Sequence, residues 1–117
     1  MSKLKEIKIK EGMPSVQEAR QKLIQIIQNS RNEGKRFLKI IHGYGSTGIG
    51  GKLREALRTS LINFKRNGVV EHIIFGERFH SVNSDLDKIL KEYPFLRDDA
   101  DYNQKNEGVT IVILKIM

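Results

Sequence analysis

A histidine and five glycines stand together in the stretch IIHGYGSTGIGGKLREAL, where His42 is followed by Gly43, Gly45, Gly48, Gly50 and Gly51. An imidazole beside a row of unshielded backbone amides suits phosphate chemistry. The amides can hold the oxygens and the ring can move a proton. Glycine costs backbone entropy on ordering, so such a cluster marks a tight turn or a close approach to something. Lys52, Arg54 and Arg58 follow directly. On a helical wheel Arg54, Arg58 and Lys65 fall in one narrow stripe, beside an apolar face of Leu53, Leu57, Leu61 and Phe64. A cationic stripe behind an amide-rich loop fits a nucleic-acid backbone, and Tyr44 inside the loop is placed to stack on a base. The bland alternative is a hinge loop with snorkelling arginines.

Two nucleotide loops compete with that reading. A Walker A loop needs a leading glycine and a hydroxyl after the lysine. Here those positions hold Ser46 and Leu53, which removes the magnesium ligand. A dinucleotide fingerprint is formally matched by Gly43, Gly45 and Gly48. Ile49-Gly50-Gly51 are then expected to stand before the helix, and the acid that should follow the next strand would be Glu77, too far along.

The elements that must position these groups follow from periodicity. Residues 4–10 alternate as a strand with one wet face or at an edge, and Gly12 and Pro14 end it. Ser15 and Glu18 form a capping box, and Val16, Ala19, Leu23, Ile26 and Ile27 carry a helix over 16–33, with Gly34 as its stop. Phe37–Ile41 reads as a buried strand. A second helix follows the glycine loop as far as Asn67-Gly68, then a strand over 69–75 and a last apolar strand, Val109–Leu114. The order β-α-β-α-β…β predicts an α/β domain: a mixed four-stranded sheet with both main helices on one face, as a two-layer sandwich.

Strands one and two should lie parallel and adjacent, because one helix crosses between them. Glu11 closes the first and His42 the second, so the two would meet at the carboxyl edge of the sheet. A carboxylate orients an imidazole and raises its pKa, which would make a general acid–base pair for a phosphodiester; the alternative is that Glu11 merely leaves the strand and His42 fixes the loop by a backbone hydrogen bond. Residues 77–107 are too long for a plain connection. They read as an inserted acidic segment with one short helix, about 85–92, and a mobile tail.

The bulk numbers bear on the partner. Residues 1–66 carry 15 Lys and Arg against 5 Glu, and residues 67–117 carry 6 against 9 acids. A basic half is the expected footprint of a polyanion partner, with plain solubility as the bland alternative. The length of 117 residues suits one domain, 1–117. No stretch would span a membrane, the first ten residues lack the apolar core of a secretory signal, and cysteine is absent. These features fit a cytoplasmic protein. His42, His72 and His80 have no metal-ligand spacing, and Asp98, Asp99 and Asp101 read as a solvated acidic turn, so neither metal nor cofactor is expected.

The quoted stretch resembles the H-G-x-G-x-G…L-R signature of the Smr (small MutS-related) domain. GMPSVQEA ahead of the first helix and NEGVTIVIL at the end support the resemblance. It implies a βαβαββ fold and a domain that binds nucleic acid, several members of which nick DNA or cleave RNA. His42, Gly43 and Gly45 match the H-G-x-G core, and Leu53-Arg54 match L-R. The family's first motif, L-D-x-H-G, is reduced to Gly12. Lys8 stands at its aspartate when strand alternation is aligned, and Glu11 at its histidine when Gly12 is.

Together these readings predict a domain that binds DNA or RNA through Gly43, Tyr44, Gly45, Gly48, Lys52, Arg54, Arg58 and Lys65. Any endonuclease activity, weak or lost, would rest on His42 and Glu11. The alternative is a regulatory or adaptor domain that binds a small phosphorylated ligand or a protein through the same loop. Oligomeric state is not written in the sequence.

Overall fold

The computed structural model describes residues 3–9, 12, 15–43 and 48–116, the side chains of 48–50 excepted. Its elements are β1 (Lys5–Lys8), α1 (Val16–Asn32), β2 (Phe37–Ile41), α2 (Gly48–Arg66), β3 (Val70–Phe75), α3 (Asp87–Glu92) and β4 (Val109–Leu114). The strands form one sheet in the order β1-β2-β4-β3. β1 and β2 are parallel, and β4 runs antiparallel to both of its neighbours. The interior place of β4 and the parallel β1–β2 pair are as the sequence predicts. Among the described residues no helix is long and apolar enough to cross a membrane.

The predicted capping box starts α1. Ser15 Oγ accepts from the Glu18 amide at 3.1 Å, and Glu18 reaches back to the Ser15 amide at 3.3 Å. Ala19, Leu23 and Ile27 of α1 meet Leu53, Leu57 and Leu61 of α2 over Leu38, Ile40, Val112 and Leu114 of the sheet. Both main helices therefore share one face, as expected.

The opposite face carries a second core. Ile111 and Ile113 of β4 and Ile74 of β3 pack against Phe79, Leu86, Leu90 and Leu96. All six residues of β4 are buried for this reason. Residues 77–107 thus contain the expected short helix but no loose tail: they form a cover over the second sheet face, adding a layer to the expected sandwich. Full burial of a Leu or Phe side chain contributes about 1.5–3 kcal/mol each, and four such side chains anchor the segment.

The acidic turn is not solvated either. Lys39 of β2, only 3% exposed, points to this face. Its ammonium donates to Asp99 at 2.9 Å and pairs with Asp101. Burial pulls the Lys39 pKa down, but its bonds to Asp101 and Asp99 outweigh that and raise it above the usual value. Two carboxylates that read as surface residues instead lock the segment to the sheet.

Candidate nucleic-acid interface

The loop begins where β2 leaves the sheet. The backbone amides of His42 and Gly43 both donate to the Gly108 carbonyl at 3.0 Å, so the turn that enters β4 holds the first two loop residues. The Asn106 side chain braces that turn, accepting from the Gly108 amide at 2.9 Å and donating to Asp101 at 3.0 Å.

His42 is fully buried. Its Nδ1 lies 2.7 Å from the Gly43 carbonyl oxygen and its Nε2 2.9 Å from Thr110 Oγ1. A carbonyl only accepts, so Nδ1 carries the hydrogen and Nε2 is the acceptor. Thr110 must then donate its hydroxyl hydrogen to Nε2. Its oxygen is left to accept from Arg58 Nε, at 3.2 Å. Arg58 completes the chain with a two-pronged bond to Glu77, both contacts at 2.8 Å, and stacks on the Phe75 ring with the guanidinium carbon 4.2 Å from its centre.

The electrostatics agree with this wiring. Burial lowers the His42 pKa to about 4, and the nearby charges of Arg58 and Arg54 push the same way against the Gly43 bond and Glu77. The ring is neutral at pH 7. Burial alone would raise the Glu77 pKa, but the Arg58 hydrogen bond outweighs it and holds the carboxyl below its usual value.

Gly76 explains how Glu77 arrives there. A Cβ on Gly76 would collide with the Asn106 carbonyl oxygen and with Val109. Only glycine lets β3 end this close to the turn before β4, which delivers Glu77 to Arg58.

The structure distributes the sequence-predicted residues unevenly. It brings His42, Gly43, Arg54 and Arg58 to one end of the sheet. Arg58, read from sequence as a phosphate contact, turns inward and is held by Glu77, with a side chain only 12% exposed. Arg54 is more open and meets Glu107 at 3.6 Å. Lys52 is exposed, and Lys65 is exposed in the last turn of α2, about 16 Å along the helix from Arg54 at 1.5 Å per residue. Glu11, Tyr44 and Gly45 lie outside the described residues, so the Glu11–His42 pairing does too.

One boundary moves. α2 begins at Gly48, so Gly48, Gly50 and Gly51 form its first turn and do not precede it. The helix start thus no longer counts against a dinucleotide loop. Its acid still does, because Glu77 is taken up by Arg58. Among the described residues nothing lies within 4 Å of where a Cβ on Gly51 would stand.

Sequence reasoning missed Thr110, Glu77 and Glu107. Thr110 had a signal: it is the one hydroxyl in the apolar run VTIVIL, and a buried hydroxyl needs a partner. It also missed that Glu71, His72 and Glu92 come within 4.8 Å of one another. Glu71 there already pairs with the Arg36 guanidinium at 2.7 Å.

Comparison with known proteins agrees with the fold and the signature. The Smr domain family model matches residues 11–80, which take in the loop, α2 and Glu77. The crystal structure of the Smr domain of Thermus thermophilus MutS2 superposes with a TM-score of 0.59 at 24% identity, over 96% of this chain and 99% of that one. At that identity the likeness speaks for the fold. No curated protein matches the chain. Smr domains in general bind or nick nucleic acid. With more than half its length matched by the family model and the fold shared almost throughout, this chain belongs to the Smr domain family.

Proposed function

We propose that this domain binds DNA or RNA by the phosphate backbone, through the loop after β2 and the first two turns of α2. The observation that carries the reading is the first turn of α2, which is built on glycines and holds no acidic residue. α1 satisfies its own first turn with Ser15 and Glu18. α2 has no acid in its first turn. Glycine inside a helix costs up to about 1 kcal/mol relative to alanine, and among the described residues no neighbour requires it at Gly51. Close approach of a phosphate to the backbone gives that glycine a reason, and the helix dipole favours the charge.

Each predicted residue then has a part. Gly43, Gly45 and Gly48 offer backbone, Tyr44 a stacking face, and Lys52 and Arg54 the charges at the helix start. Lys65 extends the basic stripe. His42, neutral and bonded at both nitrogens, acts as a latch that positions the loop, and Arg58 with Thr110 fixes the latch. A buried, neutral and doubly bonded ring is poorly placed to move a proton, so binding is the activity we assign.

The test is a panel of duplex, branched and single-stranded DNA and RNA, with strand scission scored in the same tubes. Lys52→Ala with Arg54→Ala should weaken binding across the panel by a similar factor, about tenfold or more, since phosphate contacts position without reading sequence. Unchanged affinity in the double variant overturns the proposed surface. Scission by the wild type that His42→Ala abolishes, with folding and binding retained, overturns the latch assignment.

A further inference from the structure

Two glutamates of the covering segment meet two arginines of α2, and the two pairs differ in kind. Arg58–Glu77 is closed: two bonds of 2.8 Å, an aromatic floor and a third bond to Thr110. Arg54–Glu107 is open: a single approach of 3.6 Å, with the Arg54 side chain 25% and Glu107 57% exposed. That distance lies beyond a good hydrogen bond. An exposed pair of this kind holds its partners weakly.

The placement of the open pair follows from the backbone. Glu107 immediately precedes Gly108, whose carbonyl receives the amides of His42 and Gly43. Glu107 is therefore carried beside the strand end where His42 and Gly43 leave β2, within reach of Arg54. Arg54 lies near enough for its charge to act on both His42 and Glu77. Beside Glu107 an open depression of about 600 Å³, lined also by Ala100, Gln104 and Lys105, gives the carboxylate room to swing away from Arg54.

We infer that Glu107 holds the place of a phosphate on Arg54, and that a nucleic-acid backbone binds by displacing it while Arg58–Glu77 stays closed. A carboxylate and a phosphodiester present the same anionic oxygens to a guanidinium. The internal acid keeps Arg54 oriented in the free protein and sets a threshold against weaker anions. The inference deepens the proposed function and rests on it.

The test is a double-mutant cycle on the full chain, read by anisotropy of a labelled oligonucleotide at low salt. Glu107→Gln should raise affinity by up to about fivefold, the range expected for freeing an exposed ion pair. In an Arg54→Ala background the same change should alter affinity by less than about twofold. Glu33→Gln, at the C-terminal end of α1 and paired with Lys5 and Lys35, controls for general loss of negative charge and should also stay within about twofold. No gain in Glu107→Gln, or an equal gain with and without Arg54, overturns the exchange while leaving phosphate binding intact. Absence of any binding by the wild type overturns the functional reading itself, and the exchange with it.

Discussion

The Thr110 hydroxyl donates to His42 Nε2 across 2.9 Å, joining the interior strand of the sheet to the first residue of the glycine loop. A bond in this direction forms only while the ring is neutral, because a protonated imidazole has no acceptor nitrogen. Protonation would turn the Thr110 hydroxyl round to accept, and would place a positive charge in a buried site beside Arg58 and Arg54. Folding and the charge of His42 are therefore linked.

The sign follows from the direction of the shift. The folded pKa of about 4 lies below the ordinary 6.5. Between those values the unfolded chain binds the proton and the folded chain does not. His42 thus contributes fully above the unfolded value, and the contribution is lost as pH falls from 6.5 toward 4. The Glu77 and Asp101 carboxyls, also lowered, lose theirs only below about pH 4.5, so the windows separate. From pH 7 to 5 the wild type should lose about 2 kcal/mol of stability through His42 in urea titrations. His42→Gln should lack that loss. An equal loss in both proteins would assign it elsewhere. Nitrogen NMR of the ring should show the hydrogen on Nδ1 at pH 6.

Gly51 separates stability from function. With open space at its Cβ position, Gly51→Ala should stabilise α2 by about 0.5–1 kcal/mol. The same methyl group should keep a phosphate from the helix backbone and weaken nucleic-acid binding several-fold. Thermal melts and binding titrations on one preparation decide it. Higher stability with unchanged affinity would remove Gly51 from the interface.

Lys39 tests how the second face is held. Lys39→Met leaves the part-buried Asp99 and Asp101 without their cation, a change that costs up to about 3 kcal/mol. Adding Asp99→Asn and Asp101→Asn to it should recover part of the loss. Denaturant midpoints of the single and triple variants measure this. Deletion of 81–104 should abolish cooperative unfolding, because it uncovers Ile111 and Ile113. A folded deletion variant would mean that the cover is dispensable.

What the sequence made legible follows the reach of each signal. Local signals held well. The Ser15–Glu18 box opens α1, and VTIVIL is the buried interior strand. The glycine run misled by a few residues, since Gly48, Gly50 and Gly51 have no side chain to show helical periodicity and α2 starts among them. Residues 77–107 were harder. Their apolar residues, Phe79, Leu86, Leu90 and Leu96, are spread over short turns with no single period, and acids surround them. Polarity dominated the reading, although a six-residue apolar strand needs cover on both faces. The site was half legible. His42, Gly43, Arg54 and Arg58 do converge, yet the partners that assign Arg58 inward and Arg54 outward, Glu77 and Glu107, lie 19 and 53 positions away along the chain. Ion pairs at such separations leave no local pattern.

The central claim is that phosphates bind at the glycine-rich start of α2, and the dependence of affinity on salt reads it most directly. A short labelled duplex should be titrated across sodium chloride concentrations with the wild type and with Lys52→Ala/Arg54→Ala. The plot of log K against log salt should fall with a slope of about −2 to −4 for the wild type, the signature of two to four neutralised phosphates. In the double variant the slope should be shallower by about 2. A wild-type slope near zero, or an identical slope in the two proteins, would contradict the account.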